Sequence, residues 1–130
     1  EPISRLVTNS VSCTSAFSQK AAAAAIQGPQ DSVKMMLKEF KERSKIVVDG
    51  FNDIKGISCI QPKGAFYAFP NIKNTGYKSQ ELSDALLNQG VAVLPGTSFG
   101  KYGEGYLRIS FANSRENLVK ALNIIKSFLD

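Results

Sequence analysis

The apolar positions of this chain repeat with helical spacing over its middle third. Val33, Leu37, Phe40, Val47, Phe51 and Ile54 stand three, four or seven residues apart, with charged residues between them. That spacing lays one continuous apolar stripe along a helix of about six turns, which Gly56 stops. A helix of this length can connect two lobes as well as cover a core. Before it, Ser18-Gln19-Lys20 leads into Ala21 through Ile26, a short helix favoured by alanine propensity and ended by Gly28-Pro29. Residues 8–15 are polar and aperiodic, which predicts a loop or extended segment.

Downstream the period changes. Residues 57–60 and 66–69 read as short strands joined through Gln61-Pro62-Lys63-Gly64. A helix is expected over residues 79–88, with Ser79 as N-cap, Glu81 in the first turn and Gly90 at its end. Residues 91–94 read as a buried strand broken by Pro95-Gly96, and residues 106–112 as another. Asn113 and Glu116 have capping-box spacing for a final helix to Asp130. Its stripe is Leu118, Ala121, Leu122, Ile125, Phe128 and Leu129. These elements predict an α/β fold of α+β character: a small mixed sheet with helices packed on it, preceded by a long connecting helix.

Composition narrows what such a domain does. The 130 residues suit one domain, and no apolar run approaches the roughly 20 residues of a membrane helix. The first residues lack the charged-then-apolar pattern of a signal peptide. Two cysteines, Cys13 and Cys59, are too few for a disulfide framework, so free thiols in a reducing cytoplasm are expected. The net charge is +5, yet Lys34, Lys38, Lys41, Arg43 and Lys45 alternate with Glu39, Glu42 and Asp49. That is a solvated helix face, so no nucleic-acid partner is expected. There is no histidine. The commonest general base is missing, and with only two distant thiols no metal site is expected.

Three stretches carry candidate chemistry. In Tyr106-Leu107-Arg108-Ile109-Ser110-Phe111, alternation puts Leu107, Ile109 and Phe111 on one face and Arg108 on the other. A guanidinium on a rigid strand can hold a carboxylate by two parallel hydrogen bonds. The alternative is an arginine on the solvent face of a half-buried strand. The loop from Leu94 to Gly105 has four glycines in twelve residues. It suits close approach to a ligand or partner, or is a plain flexible connection. It lacks the spacing of a phosphate-binding P-loop. Pro62-Lys63-Gly64-Ala65-Phe66-Tyr67 reads as a tight turn into an aromatic strand whose rings belong to the core.

In this order, Pro62-Lys63-Gly64-Ala65-Phe66-Tyr67, Gly90-Val91-Ala92-Val93-Leu94-Pro95-Gly96-Thr97-Ser98-Phe99-Gly100 and Gly103-Glu104-Gly105-Tyr106-Leu107-Arg108-Ile109-Ser110-Phe111-Ala112 resemble class I aminotransferases of the aspartate-aminotransferase kind. Ser18-Gln19-Lys20-Ala21-Ala22 and Phe40-Lys41-Glu42-Arg43-Ser44 extend the resemblance to nearly the whole chain. It implies the small C-terminal domain of an enzyme dependent on pyridoxal 5′-phosphate (PLP). Residues 1–28 would be the tail of the large domain, and residues 29–130 the small domain with its connecting helix. Arg108 takes the place of the arginine that binds the substrate α-carboxylate, and the glycine loop lies near the mouth of the site as the domain closes.

The resemblance also implies what this stretch lacks. The family's Schiff-base lysine lies in a Ser-Lys motif upstream of the region that matches, and Lys20 sits in a different setting. The groups that hold the PLP ring and phosphate belong mostly to the large domain, so this chain alone is expected to be inactive and to hold no cofactor. The full-length enzyme is expected to be a cytoplasmic homodimer that moves an amino group between an amino acid, aspartate or similar, and a 2-oxo acid. A PLP-dependent lyase or synthase on the same scaffold, and a stand-alone basic binding module, are the alternatives.

Overall fold

The computed structural model describes residues 1–130. The chain forms two compact units, Glu1–Met35 and Met36–Asp130.

The first unit contains α1 (Pro2–Ser10) and α2 (Ala16–Gln27), and neither helix buries a residue. Helix α1 corrects the expectation for residues 8–15, since Thr8, Asn9 and Ser10 continue it. Two physical causes account for this. Pro2 pre-sets the first helical position, and Ile3, Leu6 and Val7 have helical spacing. The polar residues then bond back onto the preceding turn: Asn9 Nδ2 donates to the Arg5 carbonyl at 2.8 Å, and Ser10 Oγ to that of Leu6 at 2.5 Å. Helix α2 starts earlier than alanine propensity alone suggests.

Helix α3 (Asp31–Asn52) runs out of the first unit into the second. Its stripe is continuous in sequence but not in burial. Val47 and Phe51 are fully buried, as is Ile54 just beyond the helix, whereas Val33 and Leu37 are half exposed or more. Phe40 marks the change, packed partly against the core. The helix is released by a turn in which Gly56 takes φ +84°, and a Cβ there would lie 2.8 Å from the Asn74 carbonyl oxygen. Glycine is required on both counts.

The second unit closes around Phe51, Ile72, Leu82, Leu86, Leu107, Phe111 and Ile125. Its sheet has three short strands in the order β1-β3-β2: β1 (Tyr67–Ala68), β2 (Leu94–Pro95) and β3 (Leu107–Ser110). Both pairings are antiparallel, so the sheet is not mixed as expected. The strand expected at residues 57–60 reduces to one bridge, Ser58 to Asn71. The reason is local: Asn52 accepts from the Cys59 N–H at 2.8 Å and donates to its carbonyl at 3.0 Å. One side chain thereby does the work of a neighbouring strand. Residues 91–93 are not paired in the sheet either, and Pro95 lies within β2 rather than breaking it. Because β2 is an edge strand, the missing N–H of Pro95 costs no ladder bond.

Helix α4 (Ser79–Asn88) has the expected bounds, but Lys78 is its N-cap and Ser79 is its first residue. Glu81 accepts from the Lys78 N–H at 3.2 Å, half of a capping box. The exit is a Schellman turn: Val91 N–H donates to Leu86 and Gly90 N–H to Leu87, with Gly90 at φ +83°. Helix α5 (Arg115–Leu129) begins one residue later than expected. Ser114, not Asn113, caps it by accepting from the Asn117 N–H at 3.2 Å. Asn113 instead braces the turn through Ser114 N–H and the Asn117 side chain. Leu118, Leu122 and Ile125 are buried as the stripe requires. Helices α3 and α5 are joined by Glu39, which takes both Arg115 and Arg43.

Candidate functional site

Strand β3 presents Arg108 as the alternation predicts. Leu107 and Ile109 are buried, Ser110 is exposed and Arg108 is intermediate. In the antiparallel register Tyr67 stands opposite Ser110, and Leu94 opposite Arg108, so these four side chains share one face.

The guanidinium of Arg108 packs on two rings. Its central carbon is 4.4 Å from the Tyr67 ring centroid and 4.1 Å from that of Phe99. Phe99 is braced edge-on by Phe69 at 6.3 Å, and Phe69 stacks on Tyr106 at 5.4 Å. The ammonium of Lys73 covers Tyr106 at 4.9 Å. Arg5, Lys34, Arg43, Lys45 and Arg115 each meet a carboxylate of this chain within 4.0 Å, and Arg108 does not. The guanidinium is therefore a charge packed on two rings and paired with no carboxylate of this chain, which suits a carboxylate ligand.

Phe99 reaches Arg108 because the glycine loop is folded tightly. Two 3-10 turns, Gly96–Phe99 and Lys101–Gly103, press together. A Cβ on Gly103 would lie 1.9 Å from the Gly96 carbonyl oxygen, and one on Gly96 would lie 2.2 Å from that of Gly103. The loop is thus not a flexible connection. Its far end is pinned to α4 through the fully buried hydroxyl of Ser79, which accepts from Gly105 N–H at 2.8 Å and Tyr106 N–H at 3.2 Å. That inward role is why Ser79 does not cap its helix outward. Glu104 accepts from the Ser79 and Gly105 N–H groups at 2.9 and 3.1 Å. The Ser79 N–H, more than any other partner, holds the Glu104 carboxyl below the usual glutamate range.

Elsewhere, the turn at residues 62–67 corrects the sequence expectation. Phe66 and Tyr67 are exposed at 39% and 36%, so they are not core residues. Ala68, small and buried, is the residue turned inward. Sequence reasoning therefore missed Tyr67 and Phe99 as neighbours of Arg108. The parity of residues 67–69 held a signal for Tyr67; nothing local signalled Phe99. A groove of about 690 Å³ along α5, lined by Val119, Ile124 and Phe128 among others, lies away from Arg108. Burial raises the Cys59 thiol above its ordinary pKa, which leaves it a weak nucleophile. No group of three or more His, Cys, Asp or Glu side chains is placed to hold a metal ion. No helix is long and apolar enough to cross a membrane.

Fold and face together define a small helix-and-antiparallel-sheet domain with an unpaired arginine on the face away from its core. The chain belongs to the family described as aminotransferase class I and II, which it matches over residues 3–125. It is 50% identical over 100 residues to an aspartate aminotransferase of Pyrococcus horikoshii, covering 76% of this chain and 26% of that protein. It is 43% identical over 120 residues to a probable N-acetyl-LL-diaminopimelate aminotransferase of Bacillus subtilis, covering 92% of this chain and 30% of that protein. Among solved structures, an aromatic aminotransferase from Pyrococcus horikoshii superposes with a TM-score of 0.89 at 39% identity. That match covers 96% of this chain and 34% of the other. The chain thus spans about a quarter to a third of the relatives it matches.

The family implies PLP in its full-length enzymes, but the residues of this chain do not fit a holder of that group. Every lysine is exposed, whereas a Schiff-base lysine is activated by desolvation or a neighbouring cation. The Arg108 face carries rings rather than the cluster of donors a phosphate requires.

Proposed function

We propose that this chain is the C-terminal portion of a PLP-dependent aminotransferase that moves an amino group between an amino acid, aspartate or similar, and a 2-oxo acid. Residues 1–28 are the tail of the large domain, and residues 29–130 the small domain with its connecting helix. The full-length enzyme works as a cytoplasmic homodimer. PLP supplies the electron sink for the chemistry and is held by the remainder of the protein. The part of this chain is to grip the substrate α-carboxylate through Arg108 and to close over the site as the small domain moves. One observation supports this reading above the others: a guanidinium packed on two rings with no carboxylate of its own chain. Fixing the carboxylate orients the Cα–H bond for proton transfer, and such positioning lowers the barrier without any acid or base from this chain.

The test compares the chain with the enzyme that contains it. The 130-residue chain shows no transamination of aspartate with 2-oxoglutarate, and its absorbance with PLP is no more than exposed lysines give. The full-length enzyme shows both turnover and a bound Schiff base. Turnover by the isolated chain would overturn the division of labour.

A further inference from the structure

We infer that Phe99 and Tyr67 are positioning residues that set the plane in which Arg108 receives the substrate carboxylate. The inference rests on the carboxylate-binding reading above and adds to it which side chains make that binding directional. The guanidinium carbon lies over both rings, 4.1 Å from the Phe99 centroid and 4.4 Å from the Tyr67 centroid. An arginine on an open strand face swings about its long stem, and its fork points nowhere in particular. Two rings packed against the guanidinium restrict that swing, and a carboxylate makes its two parallel bonds in the guanidinium plane.

The two jaws come from different elements and each is braced. Tyr67 is fixed by the β1–β3 register, which sets it opposite Ser110, and Phe66 packs on it at 4.4 Å. Phe99 stands on the glycine loop, where the contact of Gly96 with Gly103 and the Ser79 hydroxyl leave the backbone little room. Phe69 packs edge-on against the Phe99 ring at 6.3 Å. Neither jaw is a core residue, since Phe99 is 49% exposed and Tyr67 36%. Their removal opens no large cavity, so a loss of function need not follow from a loss of fold.

The experiment uses the full-length enzyme and compares kcat/KM for an amino acid with that for its amine analogue, which lacks the carboxylate. Phe99→Leu keeps an apolar side chain but removes the ring. It lowers kcat/KM for the acid by roughly 10-fold, as expected for one lost cation–π contact in a partly desolvated site. The amine analogue is unchanged, and Phe99→Tyr stays within about twofold of the parent because the ring remains. Tyr67→Leu repeats the pattern, and covers the case in which Phe99→Leu disturbs the loop. Arg108→Lys is the reference. If it erases the preference for the acid while Phe99→Leu and Tyr67→Leu leave that preference intact, or slow both compounds equally, the clamp is wrong and the carboxylate grip stands. If Arg108→Lys itself hurts both compounds equally, the grip is wrong and the clamp falls with it.

Discussion

Helices α1 and α2 and the helices of the Met36–Asp130 unit have similar local qualities and opposite burial. In the first unit Ile3, Leu6, Phe17 and Ile26 are all more than two-thirds exposed. In the second, Val47, Phe51, Leu118, Leu122 and Ile125 are nearly or fully buried. Helix α3 contains the contrast within itself, with its stripe exposed at Val33 and Leu37 and sealed from Val47 onward. The difference teaches that periodicity and alanine content make a helix, whereas burial needs another element to face it. Helices of 9 and 12 residues with no buried residue are marginal in water on their own. The stability of this chain therefore resides in the second unit.

Core truncation should separate the two regions most widely. Phe51→Ala and Leu107→Ala should each cost about 2–5 kcal/mol in urea denaturation, whereas Ile3→Ala and Phe17→Ala should stay within about 0.5 kcal/mol. Equal losses in both units would break the comparison. A smaller effect is expected in the glycine loop. Gly103→Ala forces a methyl group against the Gly96 carbonyl and should cost about 1–3 kcal/mol. Gly64→Ala meets nothing within 4 Å and should be close to neutral.

The smallest effect concerns pH. The Arg115 guanidinium, with help from Arg43, holds the Glu39 carboxyl down at about 2, from an ordinary 4.5. A depressed folded-state pKa stabilises the fold above the unfolded value, and that contribution fades as pH falls from about 4.5 to about 2. Glu39→Gln should therefore lower stability at neutral pH, with the gap from the parent protein closing across that window. The pair is solvent-exposed, so the neutral-pH gap should be modest and should shrink with added salt.

These contrasts also mark what was legible in the sequence. The phase of β3 was readable because burial on one face enforces a strict period of two, and Leu107, Ile109 and Phe111 are buried as that period demands. The bounds of α4 and the stripe of α5 were readable for the same reason, at the helical period. The strand at residues 57–60 was misread because the Asn52 side chain satisfies the Cys59 backbone groups that a strand would have paired. The exposure of Val33 and Leu37 was invisible, since a stripe states which face is apolar and not whether anything covers it. At the candidate site, the facing of Arg108 away from the core was legible from strand parity. Phe99 was not, because its place depends on two glycine backbones touching across the loop, a contact that no local pattern encodes.

The most direct test of the account is the acid-to-amine preference of the full-length enzyme with and without Arg108→Lys. The substitution keeps the charge and removes the planar fork. Losing a charge-assisted contact of this kind costs about 2–4 kcal/mol, or roughly 30- to 1000-fold in kcat/KM. That loss is expected for the amino acid, with little change for the amine analogue and unchanged folding and PLP content, because Arg108 lies on the face opposite the core. Unfolding of the variant, or equal loss for both compounds, would contradict it and return Arg108 to a structural role.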